Sequence, residues 1–164
     1  MGEVPEWLLL FRTGSLRFGV DVAAVARVIL ACETSPLPGA PASVRGVTVV
    51  SDAVVPVIDP VIPFKDHDKS GPNTTSLGLD CRFVMVQTPR RMLAVIAEEV
   101  DGVRRGADMP LIQPDALPGI VPELMGISIG SDGLVYVSDP ERLISDADEI
   151  QLQAVLADLS HGRP

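Results

Sequence analysis

Two stretches of the sequence are copies of each other. The first reads Gly46-Val-Thr-Val-Val-Ser-Asp-Ala-Val-Val-Pro-Val-Ile-Asp-Pro60, and the second reads Gly126-Ile-Ser-Ile-Gly-Ser-Asp-Gly-Leu-Val-Tyr-Val-Ser-Asp-Pro140. They align without a gap at an offset of 80 residues, and seven of the 15 positions are identical. Similarity at a fixed offset is the sequence signature of a repeated structural unit. We therefore expect two copies of one motif in this chain.

Each copy has the pattern of a β-hairpin. Two runs rich in β-branched residues flank a turn, Ser51-Asp52 in the first copy and Ser131-Asp132 in the second. Small polar residues at such a position favour tight reversal of the chain. The Asp-Pro pairs at 59–60 and 139–140 end the second strands, because proline cannot donate to the ladder. Each copy therefore predicts two antiparallel strands.

The surrounding sequence extends this pattern to a whole all-β domain over residues 1–164. A looser strand–turn–strand pattern precedes each copy, and the two similar halves span residues 6–64, completed by C-terminal elements, and 80–145. Residues 65–79 between them are polar and rich in Ser, Thr, Asn, Gly and Asp, which predicts a surface linker.

Two segments predict helices. Val22–Leu30, after the first hairpin, is rich in Ala and Val and follows Asp21, which can serve as an N-cap. Residues 146–160 carry an apolar stripe. The stripe consists of Leu152, Val155, Leu156 and Leu159. We expect this C-terminal helix to pack on the strands, the alternative being a partner protein, because helices of this length seldom stand alone.

Composition excludes several classes of protein. Hydrophobic residues make up 46% of the chain and charged residues 21%, which excludes a disordered chain. The net charge of −9 argues against nucleic acid and against an anionic membrane surface. Residues 34–44 are a charge-free stretch of only 11 residues, too short for membrane insertion. With two cysteines and no apolar signal segment, we expect a soluble, cytoplasmic protein.

The residue types that perform catalysis are poorly placed. His67 lies in the linker and His161 in the tail, and Asp66-His67-Asp68 offers too few fixed donors for a metal shell. The repeat-related Asp59 and Asp139 each precede proline, so capping a turn explains them better than acid–base chemistry. Cys32 and Cys81 are expected to be small buried hydrophobes. We predict no catalytic residue, metal site or cofactor.

A family resemblance accompanies these patterns. Pro38-Gly-Ala-Pro-Ala-Ser-Val-Arg-Gly-Val47, followed by Val55-Pro-Val-Ile-Asp59, resembles the signature of the CheW domain of bacterial chemotaxis coupling proteins. The resemblance covers about residues 7–145. It implies two five-stranded β-barrels in pseudo-twofold relation. It also implies a non-enzymatic adaptor that joins the regulatory domain of a CheA-type histidine kinase to the cytoplasmic tip helices of chemoreceptors.

Two positions depart from the family pattern. The family usually carries an arginine where this chain has Ser51, and an acid where this chain has Arg27. The resemblance implies opposite charges at these positions, near the receptor groove. We put forward a polarity-swapped ion pair between Arg27 and Asp52, of value for specificity rather than stability. The alternative is that Asp52 only shapes the turn and Arg27 is solvated.

The resemblance also implies a set of partner-binding residues at the receptor-side groove. Glycine suits close backbone approach at Gly46 and at its repeat mate Gly126. Two other functions stay open: a CheW-like scaffold in a motility, localisation or other two-component system, and an enzyme or ligand binder with a pocket that holds Asp59 and Asp139 together. The expected partner-binding residues are Val25, Arg27, Gly46, Val47, Ser51, Asp52 and Val54.

Overall fold

The described residues fold into two β-sheets and one C-terminal helix. The computed structural model describes residues 4–62, 80–113, 124–130 and 133–161. The helix is α1 (Asp146–His161), and single turns of 3-10 helix cover Val22–Ala24, Gly106–Asp108 and Pro140–Arg142. The strands are β1 (Trp7–Thr13), β2 (Leu16–Asp21), β3 (Val25–Leu30), β4 (Val44–Val50), β5 (Ala53–Ile58), β6 (Arg82–Gln87), β7 (Met92–Ala97), β8 (Glu99–Arg105), β9 (Leu111–Ile112), β10 (Leu124–Gly130) and β11 (Gly133–Ser138).

The two sheets have the same construction. Sheet A has the order β8-β1-β2-β11-β10-β9, and sheet B has the order β3-β6-β7-β5-β4. In sheet B, the segment after β3 returns to pair with β4 through Ser35 and Val47. In sheet A, β9 follows β8 and pairs with β10 in the same way. Each sheet therefore curls round on itself, which confirms the all-β fold of two related units. Sheet A has six strands rather than the expected five because β9 forms a two-residue ladder.

The first hairpin of each half of the sequence, β1–β2 or β6–β7, joins the sheet formed by strands of the other half. Sheet B combines β3, β4 and β5 with the hairpin β6–β7, whereas sheet A combines β8 to β11 with the hairpin β1–β2. The division into residues 6–64 and 80–145 is therefore wrong as a description of the two units. The exchange places apolar side chains of both first hairpins in one shared core. The alternation of apolar residues along a strand does not show which sheet the strand joins.

The segment Val22–Leu30 is helical only in its first turn. Asp21 caps that turn as predicted, because its carboxylate accepts a hydrogen bond from the backbone N–H of Ala23 at 2.9 Å. The turn ends at Ala24, and Val25–Leu30 forms the edge strand β3 beside β6. The prediction of a helix over the whole segment is wrong because its β-branched residues favour a half-buried sheet surface.

The largest core lies between the two sheets. Phe11 and Phe18 stack there with ring centroids 5.6 Å apart. Smaller clusters fill the inside of sheet B, around Phe83 and Met85, and the inside of sheet A, around Leu8 and Leu10. The seam between the sheets is thus filled by the chain itself. Its buried residues are Leu9, Phe11, Phe18, Val20, Leu37, Val44, Ile58, Val84, Val86, Leu93, Val95, Ala97, Leu143, Ile144 and Leu152.

The helix α1 packs on this inter-sheet core, as predicted. Leu152 is fully buried, and Val155 and Leu156 are partly buried against the core, while Leu159 is exposed. Polar contacts fix the helix as well. Glu149 is buried and accepts a hydrogen bond from Arg91 Nε at 2.7 Å, and the side chain of Gln151 donates to the carbonyl of Gly39 at 2.7 Å.

Some expectations fall outside the described residues. These include the linker over residues 65–79, the Asp66-His67-Asp68 sequence within it, and the second turn at Ser131-Asp132. Within the described ranges, no helix has the length and apolar character needed to cross a membrane.

Candidate partner-binding site

The β4–β5 hairpin ends in a tight two-residue turn at Ser51 and Asp52. Val50 and Ala53 form the last pair of the ladder. Ser51 and Asp52 have φ angles of 50° and 67°. Positive φ at both central residues is the geometry of a type I′ turn, whose twist matches that of the flanking strands. Asp52 therefore shapes the turn, which was the second of the two roles considered for it.

An exposed apolar pair lies directly behind the turn. Val49 and Val54 face each other across the ladder and are 64% and 48% exposed. Because alternate residues of a strand share a face, they continue the face that Val47 and Ile58 present to the inter-sheet core. The pair extends the apolar surface of that core into solvent at the tip of the hairpin.

Arg27 of β3 reaches the same turn. Its Nη2 donates a hydrogen bond to Ser51 Oγ at 3.1 Å, and both side chains are exposed. Within the described residues no carboxylate lies within 4.0 Å of Arg27, that of Asp52 included. Arg27 and Asp52 therefore do not form a direct ion pair. The guanidinium bonds instead to the neutral hydroxyl of the neighbouring turn residue, Ser51.

The other expected site residues lie below the tip. Val25 and Val47 are half-buried against the inter-sheet core. Gly46 is buried, and a β-carbon there would collide with the carbonyl oxygen of Ser35. Gly126 meets the carbonyl oxygen of Ile112 in the same way, at 2.9 Å from the position of a β-carbon. The close approach at these glycines is to the chain's own backbone, and the buried Gly46 offers no surface to a partner.

The structure thus brings four of the seven expected residues together at the surface, namely Arg27, Ser51, Asp52 and Val54. Sequence reasoning missed Val49, since alternation shows which residues share a face but not which face meets solvent. It also missed a second apolar tip. Ile129 and Leu134 form the equivalent ladder pair 80 residues later and are 58% and 44% exposed. The repeat offset and the turn position together could have located both pairs.

The repeat-related carboxylates are structural. Asp59 accepts a hydrogen bond from the backbone N–H of Val61 at 3.1 Å, and Asp139 accepts one from Glu141 at 3.0 Å. The prediction that they cap turns is confirmed. A cavity of 370 Å³ beside Arg90 is lined by neither carboxylate. Within the part of the chain that the structure describes, no three His, Cys, Asp or Glu side chains are grouped to hold a metal ion.

These features can be compared with known proteins. A family model for the CheW-like domain matches residues 8–148. The chain belongs to the CheW-like domain family. Protein FrzA of Myxococcus xanthus is 35% identical over 97 residues, which cover 58% of this chain and 56% of FrzA. The chain therefore spans little more than half the length of that relative in the alignment.

The fold of this CheW-like domain is also found among solved structures. The crystal structure of the scaffolding protein TtCheW from Thermoanaerobacter tengcongensis aligns with a TM-score of 0.68 at 19% identity. The alignment covers 86% of this chain and 93% of TtCheW. At this identity the likeness concerns the fold. Within that fold, Arg27 and Ser51 are in direct contact.

Proposed function

We propose that this CheW-like domain is a non-enzymatic, cytoplasmic adaptor that couples the regulatory domain of a CheA-type histidine kinase to the tip helices of chemoreceptors. The observation that carries the proposal is the β4–β5 tip, where the exposed pair Val49–Val54 stands beside the hydrogen-bonded Arg27 and Ser51. An apolar centre with a polar rim is the usual anatomy of a protein–protein interface.

Energetics favour this tip as an anchor. Fully burying a valine side chain contributes about 1.5–3 kcal/mol, and the exposed fractions of Val49 and Val54 leave much of that free energy available to a partner. Arg27 and Ser51 at the rim supply orientation and specificity more than affinity.

The tip is also held in a fixed position. The buried Gly46 allows β4 to approach the Ser35 backbone, and the hydrogen bond from Arg27 joins the turn to β3. A surface that is ordered before binding loses less conformational entropy when a partner docks. The β4–β5 tip therefore has the preorganisation that an adaptor needs.

Titration of the chain against each partner tests the proposal. The two partners are the regulatory domain of a CheA-type kinase and a receptor-tip fragment, and the variant is Val54→Asp. We expect at least one partner to bind about tenfold more weakly, because an uncompensated carboxylate would enter the apolar centre. Val103→Asp is the matched control, since Val103 is 51% exposed on β8 of sheet A. Coupling requires both partners, so an unaltered chain that binds only one of them, or neither, would contradict the proposal.

A second candidate function is a CheW-like scaffold in a motility, localisation or other two-component system. The observation that favours it is the neutral Ser51 at a position where the family usually carries an arginine, because this changes the charge of the tip. Affinity capture from the native organism separates the two functions. A chemoreceptor recovered together with a CheA-type kinase supports receptor coupling, and a kinase recovered without a receptor supports the second function.

A further inference from the structure

Within the described part of the chain, Arg27 has no carboxylate within 4.0 Å. Its described hydrogen-bond acceptor is the hydroxyl of Ser51, which uses one of the five N–H donors of a guanidinium. Six other described arginines lie within 4.0 Å of a carboxylate. These are Arg12, Arg17, Arg45, Arg90, Arg91 and Arg142.

A partner that covers this tip must compensate the charge of Arg27. A guanidinium removed from water costs free energy unless it gains a partner of opposite charge, and a serine hydroxyl alone does not provide one. Arginine pairs with carboxylates through parallel hydrogen bonds, so Asp or Glu on the partner matches its geometry. The apolar pair Val49–Val54, close to Ser51 on the same hairpin, requires aliphatic side chains around that carboxylate.

The second tip provides a comparison within the same molecule. Ile129 and Leu134 repeat the exposed apolar pair. The bulge that precedes Arg27 on β3 corresponds to the bulge on β8 that precedes Gly102. Glycine carries no side chain, and a β-carbon built on Gly102 meets nothing within 4 Å. At this one position sheet B carries an arginine and sheet A a glycine. Near Ile129 of sheet A, Arg17 and Arg104 line the surface, and Arg17 is paired with Asp101.

We propose that the β4–β5 tip selects a protein surface on which a carboxylate is flanked by aliphatic side chains, and that Arg27 determines this specificity. The inference rests on the proposed function, since it names the partner chemistry of the same site. The apolar pairs of the two sheets are alike, and the counterpart of Arg27 in sheet A is Gly102.

Charge reversal tests the proposal directly. We expect Arg27→Glu to bind the partner at least 30-fold more weakly. Arg27→Lys, which keeps the charge but loses the paired hydrogen bonds, should bind more tightly than Arg27→Glu and more weakly than the unaltered chain. Salt should weaken binding of the unaltered chain more than binding of Arg27→Ala. Arg105→Glu is the matched control, because Arg105 is also exposed but lies on β8 of sheet A against Trp7; its affinity should be unchanged.

A complementary substitution in the partner completes the test. The probes are the kinase regulatory domain and the receptor-tip fragment, in which each exposed Asp or Glu is changed in turn to Lys. One such variant should bind Arg27→Glu at least tenfold more tightly than the unaltered probe does. If Arg27→Glu binds like the unaltered chain, or if no variant of either probe restores its binding, the charge inference is overturned while the proposed function stands. If the unaltered chain binds neither probe, both fail.

Discussion

Gly46 of β4 lies against the carbonyl oxygen of Ser35, at the point where sheet B curls round on itself. The backbone N–H groups of Ser35 and Val47 each donate to the other residue's carbonyl at 2.8 Å. The contact joins the segment after β3 to β4, and it therefore positions the β4–β5 hairpin relative to Arg27.

Gly46→Ala should destabilise the fold. A β-carbon at this position cannot be placed without moving the Ser35 backbone, and overpacking of this kind costs about 1–3 kcal/mol. Urea denaturation measures the free energy of unfolding. Gly130→Ala is the control, because a β-carbon there meets nothing within 4 Å. Equal unfolding free energies for the two variants would show that the Ser35 approach is not a constraint.

Glu149→Gln should destabilise the docking of α1. The side chains of Glu149 and Arg91 are 8% and 20% exposed, so the substitution leaves a largely buried guanidinium without its counter-charge. We expect a loss of about 2–4 kcal/mol of unfolding free energy. Asp146→Asn removes the equivalent charge opposite Arg90, where the acid is 92% exposed, and should cost less than about 1 kcal/mol. A similar loss in both variants would contradict the assigned burial.

Leu152→Ala should be the most damaging truncation in α1. Leu152 is fully buried in the inter-sheet core, and removing such a side chain costs about 2–5 kcal/mol. Ile150→Ala, on the solvent side of the same helix, should change the unfolding free energy by less than about 0.5 kcal/mol. Thermal unfolding followed by circular dichroism distinguishes these outcomes. A larger effect from Ile150→Ala than from Leu152→Ala would contradict the packing of Leu152 against the core.

Local sequence patterns were sufficient to predict the hairpins. The turn at Ser51-Asp52 and the caps at Asp59 and Asp139 depend on residues close in sequence, so their chemistry can be read directly. The edge strand β3 was harder to predict. An Ala- and Val-rich segment suits a helix or a half-buried strand, and pairing with the distant β6 decides between them.

The exchange of hairpins between sheets and the composition of the site depend on distant contacts. Both first hairpins have suitable apolar faces for either sheet, so no local pattern predicts that β6–β7 joins β5. The same reasoning applies to Arg27. The family resemblance suggested an ion pair between Arg27 and Asp52, whereas the curl of sheet B places its guanidinium on Ser51.

Hydrogen–deuterium exchange with the kinase regulatory domain and with the receptor-tip fragment most directly tests whether the β4–β5 tip is the partner-binding surface. We expect at least one of them to slow amide exchange over residues 47–54 and at Arg27, and to leave exchange at Ile129 and Leu134 unchanged. Protection confined to the β10–β11 tip or to α1, with residues 47–54 unaffected, would contradict the assignment of this site.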